Sequence, residues 1–400
     1  MEKIRVLHIF GPNFKRRFGG PIFDWKYAFS KWDEAAVEHL VLTENGVEPA
    51  TEAFNFDMTA NQVMSTRSDR TTWIFTLLFS LNRHKKKYDL IHFHVLLWGG
   101  LLAAAWAKLN KIPTIYQSVL QGSDTPGAIK QQRFGNLKLS LLKKFTLIVA
   151  ISNQLRQDYL DFSFPKENVA MLMNSVDTDL FHPLESQKGK QSIREKYSLR
   201  QTDRILIFTG SIIERKGVDL LIQVFLQIAH DHPDLYLWLV GPVSKDENAS
   251  LDEEFVLKMK SQVSRAGMNE RVRFHGMISD RGDLAEAYQA ADIFVFPSRK
   301  EGLPNVVLEA MSSGLLVIVS DLPGLKGVVA PGENGVVVPI GDAGALAAAI
   351  SDILSNNSVL PRLGRNARSY IESVHGFDAW QNEMTSCYHK LMKSVTESTD

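Results

Sequence analysis

The chain has 400 residues, with 45 Lys and Arg against 45 Asp and Glu and a hydrophobic fraction of 44%. That length can hold two cores, and a formal charge of zero leaves no global field to attract nucleic acid. Its one cysteine, Cys387, excludes an internal disulfide, and a reducing cytoplasm is the expected setting.

No secretory leader is read at the start, where residues 3–10 form a short strand-like run. A basic, glycine-rich loop follows, with Lys15, Arg16 and Arg17 ahead of Gly19 and Gly20. The pattern predicts a helix over 23–32, a strand over 37–42 and a loop-rich insertion over 44–70. A helix over 73–81 then runs into Arg83, His84 and Lys85 to Lys87. Residues 90–107 are apolar apart from His92 and His94, and their length approaches that of a membrane span. Gly99-Gly100 interrupts the run and Pro113 precedes another strand, so the segment reads as strand, helix and strand. A helix over 134–145, a strand over 147–151 and a helix over 153–160 continue the alternation.

Residues 183–203 hold Pro183, Gly189 and several lysines, and are the expected linker region. Strands then fall at 204–209, 235–240, 272–274, 293–296, 317–319 and 336–338, with helices between them and three terminal helices at 343–355, 361–374 and 377–395. Alternating strands and helices predict α/β architecture, with two Rossmann-like, doubly wound domains in tandem. The boundaries read as 1–185, a linker at 186–203, 204–375, and a C-terminal helix at 376–400. The glycine-rich dinucleotide fingerprint is absent, which argues against NAD.

The stretch from Arg299 to Met311 carries the most chemistry. It leaves the 293–296 strand through Pro297-Ser298 and opens a helix, with Asn305 expected as N-cap and Gly314 as stop. Free N–H groups at a helix start suit a phosphate. Glu301 and Glu309 flank that start, and an ionised carboxylate accepts hydrogen bonds from sugar hydroxyls. Arg215 and Lys216 follow the 204–209 strand, where they could neutralise a diphosphate. Alone, that pair reads first as a solvated basic turn; beside the Glu301 and Glu309 motif the diphosphate reading takes precedence.

Several segments occur in a shared order: 216–221, 272–276, 291–298, 301–311, Gly332 to Gly335, and upstream Asn174 to Asp177. Together they resemble the group 1, or GT4-type, retaining glycosyltransferases. The resemblance covers nearly the whole chain, strongly in the second half. It implies the GT-B fold, with two domains facing a central cleft and C-terminal helices crossing back to the first domain. It also implies transfer of a hexosyl-type sugar from a nucleotide-sugar such as UDP- or GDP-hexose to a hydroxyl acceptor, in cell-surface polysaccharide or glycolipid synthesis.

Carried over by position, Glu301 would hold the donor sugar and Glu309 the ribose. Lys216 and Arg215 would stabilise the departing diphosphate. The backbone N–H groups of Asn305 and Val306 would hold phosphate, Gly302, Leu303 and Pro304 would belong to the same donor site, Gly276 would line the base pocket, and Gly19 and Gly20 would approach the diphosphate. The family pattern has Gly-Arg where this chain has Gly210-Ser211, and Arg215 is the candidate replacement. It also has a first-domain histidine that is absent here, and Gln121, Asp124 or His94 are the acceptor-side candidates.

No metal and no cofactor beyond the nucleotide-sugar are expected. Asp177-Thr178-Asp179 reads as a turn, and His92 and His94 share a strand face with no third ligand at sensible spacing. The basic, amphipathic 137–145 stretch, with Lys85 to Lys87, Arg16 and Arg17, reads either as a solvated helix face or as a peripheral contact with the inner face of a membrane. The second reading favours a lipid-linked acceptor. A GT-B epimerase, a phosphorylase and a non-catalytic nucleotide-sugar-binding protein are the alternatives.

Overall fold

The computed structural model describes residues 3–10, 25, 28–29, 31–32, 36–43, 46–49, 67–119, 125–184, 186–247, 251–356 and 358–397. They fall into two compact units, Met1–Asn174 with Asp378–Asp400, and Ser175–Phe377.

The first unit is built on β1 (Ile4–Ile9), β2 (Val37–Thr43), β3 (Gly46–Pro49), β4 (Leu90–Phe93), β5 (Thr114–Ser118), β6 (Leu147–Ala150) and β7 (Val169–Met171). They form one sheet in the order β3-β2-β1-β4-β5-β6-β7, parallel except for β3 at the edge. β4, β5 and β6 are buried along their whole length, as expected of parallel strands covered on both faces. The helices are α1 (Arg67–Arg83), α2 (Trp98–Leu109), α3 (Pro126–Lys130), α4 (Gly135–Leu142) and α5 (Asn153–Asp161). α2 packs on both α1 and α4. The helix expected over 134–145 spans Gly135–Leu142, with Phe134, at φ 60°, in the left-handed N-cap position and Lys143 as C-cap. β4 and α2 are separate elements, and among the described residues no helix is long and apolar enough to cross a membrane.

The second unit contains α6 (Gln187–Lys196), β8 (Arg204–Thr209), α7 (Val218–Ile228), β9 (Leu235–Val240), α8 (Glu253–Arg265), β10 (Val272–Gly276), α9 (Arg281–Ala290), β11 (Ile293–Phe296), α10 (Asn305–Ser312), β12 (Leu316–Ser320), β13 (Val336–Val338), α11 (Ala343–Ser355) and α12 (Val359–Val374). Its six strands are all parallel, in the order β10-β9-β8-β11-β12-β13. The central strands are Val, Ile, Leu and Phe with almost no exposure. Each such side chain contributes about 1.5–3 kcal/mol through burial.

The 186–203 segment differs from the expected linker. It carries α6, whose Lys190 and Arg194 bind the buried carboxylate of Asp292 at 2.9 and 2.6 Å. Asp292 also accepts from the backbone N–H of Ile205, so one carboxylate ties α6 to the start of β8. A scarcity of apolar residues reads as a linker, yet here charge pairing docks the segment. The change of unit falls instead between Asn174 and Ser175.

The last helix, α13 (Phe377–Glu397), joins the first unit from Asp378 onward. Trp380 sets its ring against Trp25 and Trp32 at 5.2 and 5.4 Å, and Tyr388 is fully buried.

Candidate functional site

β8 and β11 are parallel neighbours, with Leu206 opposite Ile293. The loops that leave their carboxyl ends therefore emerge on the same edge of the sheet. One loop brings Arg215 and Lys216, and the other brings Ser298 to Glu301. Gly217 closes the first loop at φ 73°, and a Cβ there would lie 2.0 Å from the carbonyl oxygen of Pro297. Only glycine permits that approach. The N–H of Arg299 donates to the Arg215 carbonyl at 2.8 Å and staples the two loops together. Arg299 also pairs with Asp219 in the first turn of α7, with two contacts of 2.8 Å.

Glu301 is the meeting point. Its Oε1 accepts from Arg215 at 2.6 Å, from Lys216 at 2.7 Å and from the hydroxyl of Ser298 at 3.1 Å. The carboxylate is 8% exposed. Burial pulls the Lys216 ammonium below its ordinary pKa, and Glu301 opposes that shift. Lys216 also lies over the Phe296 ring at 5.0 Å. The expected triad of Glu301, Arg215 and Lys216 is therefore brought together, as mutual ion partners.

α10 begins at Asn305, and the N-cap position belongs to Pro304, which makes no side-chain capping bond. Asn305 is thus the first helical residue and not the cap, as proline's fixed φ suits the turn into the helix. Gly302, Leu303 and Pro304 are buried, while Asn305 and Val306 are half-buried. Glu309 points into the unit, 5% exposed. Its Oε2 accepts from the Tyr288 hydroxyl at 3.2 Å, and its Oε1 faces Arg281 at 3.3 Å. Tyr288 also bonds Thr209 at the end of β8, at 2.6 Å. Burial pushes the Glu309 carboxyl upward, opposed by Arg281 and Tyr288. Arg281 and Tyr288 had no signal in the sequence, because each lies on an ordinary amphipathic helix.

Glycines shape the loops around both carboxylates. A Cβ on Gly324 would stand 1.5 Å from the carbonyl oxygen of Gly302, so the Pro323–Leu325 turn sits directly on the Glu301 loop. Gly276 ends β10 at φ 73°, and a Cβ there would meet the Glu247 carboxylate at 2.8 Å. Its carbonyl accepts from Gly241, which follows β9. Gly276 is therefore beside a carboxylate at the same sheet edge as Glu301.

Gly19, Gly20, Gln121 and Asp124 lie outside the described residues. His94 is buried in the first unit, stacked on Phe10 at 4.2 Å, and bonded through Nδ1 to Gln117 and through Nε2 to His8. Both of its nitrogens are engaged within the core of the first unit. The reading that His92 and His94 lack a third ligand is also corrected. His8, on the neighbouring strand, is in register with His92. Spacing along the chain hid it, since the partner comes from an earlier strand. Asp177 behaves as a turn residue, accepting from the N–H groups of Asp179 and Leu180.

Two family models match the chain: glycosyl transferases group 1 over residues 189–370, and glycosyltransferase family 4 over 32–180. The capsular polysaccharide biosynthesis glycosyltransferase CapM of Staphylococcus aureus is 26% identical over 249 residues, 62% of each chain. The lipopolysaccharide core biosynthesis glycosyltransferase LpsE of Rhizobium meliloti is 27% identical over 270 residues, 67% of this chain and 71% of its own. The chain thus spans less than two thirds of CapM. Among solved structures, HepE of Anabaena in complex with UDP aligns with a TM-score of 0.74 and 17% identity, over 97% of this chain and 100% of that one. The sucrose-phosphate synthase of Thermosynechococcus elongatus aligns with a TM-score of 0.76 and 22% identity, over 98% and 100%.

Proposed function

The chain belongs to the group 1, GT4-type glycosyltransferases of GT-B fold, and on that premise we propose that it moves a hexosyl group from a nucleotide-sugar to a hydroxyl acceptor with retention of configuration. The observation that carries this reading is the convergence of Arg215 and Lys216 on Glu301, with Glu309 on the adjoining helix. Two cations held at a carboxylate can turn to a diphosphate when the donor arrives, because phosphate oxygens offer them equivalent charge-assisted bonds. The N–H groups at the start of α10 add a partial positive charge. Glu301 then accepts from a hydroxyl of the donor sugar, and Glu309 from the ribose. HepE is a fold relative solved with UDP, and in another structure with UDP-glucose, which supports UDP-hexose as the first donor to test.

In the proposed step the bond from the anomeric carbon to the phosphate oxygen breaks, and the acceptor oxygen bonds to that carbon from the same face. The acceptor proton passes to the departing phosphate oxygen. Arg215 and Lys216 stabilise the charge on the diphosphate, so no metal is needed there. The test is incubation with UDP-, GDP- and ADP-sugars and acceptor extracts, following nucleotide release and the anomeric configuration of the product. Inverted product overturns the mechanism, and tight donor binding without turnover favours a binding protein. Donor affinity should be equal with and without added Mg²⁺ or Mn²⁺, and a strict requirement would contradict metal independence.

A role in polysaccharide or glycolipid synthesis fits the surface of the first unit. Residues 73–119 and 125–150 contain eleven Lys and Arg and one carboxylate, Asp89, which is paired with Arg5. On the contiguous helices α1, α2 and α4, and at the residue that precedes α4, this cationic stretch includes exposed Phe75, Phe79, Leu137 and Phe134. Lys138 and Arg133 flank the aromatic rings of Trp98 and Phe134. Exposed aromatics among lysines match an anionic bilayer surface, where each cation near the headgroups adds about 1 kcal/mol. A lipid-linked acceptor would be presented there. Sedimentation with phosphatidylglycerol vesicles should exceed that with phosphatidylcholine vesicles, and Phe75→Ser with Phe134→Ser should weaken it. Equal partition to both lipids contradicts the membrane reading.

A further inference from the structure

The first unit contains a side-chain cluster that sugar transfer does not use. His8 on β1 and His92 on β4 are register partners, and His94 lies two residues beyond His92. Residues two apart on a strand share a face, and neighbouring strands lie about 4.8 Å apart. The sheet therefore gathers three imidazoles. All three are buried, and one ring nitrogen from each lies within 4.8 Å of the others.

Each ring spends one nitrogen on an outer partner. His94 Nδ1 faces Gln117 Oε1 at 3.1 Å, His92 Nδ1 faces the Tyr388 hydroxyl at 3.0 Å, and His8 Nε2 faces His39 Nδ1 at 2.9 Å. Three nitrogens remain. His8 Nδ1 and His94 Nε2 stand 2.9 Å apart. His92 Nε2 is buried and, among the described residues, has no hydrogen-bond partner. Such a nitrogen costs about 1–3 kcal/mol wherever its proton sits.

We propose that His8, His92 and His94 bind one divalent ion of the zinc type, through His8 Nδ1, His92 Nε2 and His94 Nε2. Three neutral imidazoles suit zinc, and ligating histidines characteristically hold their second nitrogen on an outer partner, as all three do here. The protons balance. With the ion bound, His94 Nδ1–H donates to Gln117, His92 Nδ1–H to the Tyr388 oxygen, and His8 Nε2–H to His39 Nδ1. Each ring stays neutral and ligation releases no proton.

Tetrahedral zinc at about 2.0–2.1 Å from each nitrogen needs nitrogens roughly 3.4 Å apart. His8 Nδ1 and His94 Nε2, now 2.9 Å apart, would part slightly to reach that value, and one nitrogen of each of the three rings already lies within 4.8 Å of the others. A water would complete the four positions, and where it ionises its proton passes to solvent and the resulting hydroxide halves the charge that must be buried. The ion would fasten β1 to β4 and, through Tyr388, to the C-terminal helix. This site stands on residues of the first unit and is independent of the donor chemistry.

The test strips the purified full chain with a chelator and reloads it with Co²⁺ or Zn²⁺ alone. The visible absorption of tetrahedral Co²⁺, retention of one Zn²⁺ per chain after desalting, and a raised Tm with Zn²⁺ are expected. His92→Gln removes one of the three ligands and should abolish retention of Zn²⁺ after desalting. X-ray absorption of the zinc-loaded native chain needs no variant and should count three imidazoles. A folded, reloaded native chain that retains no metal overturns the site, as do fewer than three imidazoles or a folded His92→Gln chain that retains as much zinc.

Discussion

The ammonium of Lys216 stands 2.7 Å from Oε1 of Glu301, although the two residues leave the ends of different strands. Arg215 reaches the same oxygen at 2.6 Å. One carboxylate thus positions both cations while it is itself held 8% exposed. Its removal should damage the organisation of charge more than the affinity for nucleotide. Glu301→Gln should lower kcat by about 10²–10³-fold, with the UDP dissociation constant changed less than turnover. Steady-state kinetics beside calorimetry separate the two, and wild-type turnover would refute the assignment.

Glu309 makes the complementary prediction. It is buried on α10 and bonded to Tyr288 and Arg281. If it holds the ribose, Glu309→Ala should weaken UDP binding by roughly 10- to 150-fold, the value of a charge-assisted bond of about 1.5–3 kcal/mol. Tyr288→Phe keeps the ring and the carboxylate and should weaken UDP less. Calorimetric titration of folded variants checks the order, and equal affinities in all three chains would remove Glu309 from the nucleotide site.

Gly324 tests the loop packing. A methyl group there would fall 1.5 Å from the Gly302 carbonyl oxygen. Gly324→Ala must displace the Glu301 loop, and overpacking of this kind costs about 1–3 kcal/mol. A lower Tm and weaker donor binding are expected together. Gly327→Ala is a matched comparison for crowding, because a Cβ there meets nothing within 4 Å, although its φ of 86° brings backbone strain. Gly327→Ala should leave donor binding close to wild type.

Asp292 tests the docking of α6. Burial pushes its carboxyl up, but Lys190 and Arg194 outweigh burial and hold it below 3.8. A carboxylate with a depressed pKa in the folded chain contributes fully above the unfolded value and loses that contribution as pH falls below about 3.8. Asp292→Ala leaves Arg194 buried without its carboxylate and should cost about 3–5 kcal/mol at neutral pH. The variant should also show a smaller loss of stability than wild type on acidification below that value. Urea unfolding across pH measures both.

Much of this was legible in the chain. The runs Ile293–Phe296 and 205–208 are apolar because parallel strands are covered on both faces, and that pattern is local. The spacing of Glu301 and Glu309 across a helix start was legible for the same reason. The linker reading failed at α6, where Lys190 and Arg194 look solvent-seeking until Asp292 is seen beneath them.

What the sequence determined by itself was the alternation of strands and helices, the two-unit architecture and the identity of the loop that carries Glu301. What only the tertiary structure decided was which distant residues share an atom. Arg215 and Lys216 are spent on Glu301, Tyr288 and Arg281 on Glu309, and His8 stands beside His92 and His94. The physical reason lies in the crossover connections. Periodicity reports which face of its own element a residue occupies, whereas strand order and register in a parallel sheet bring together residues from remote parts of the chain.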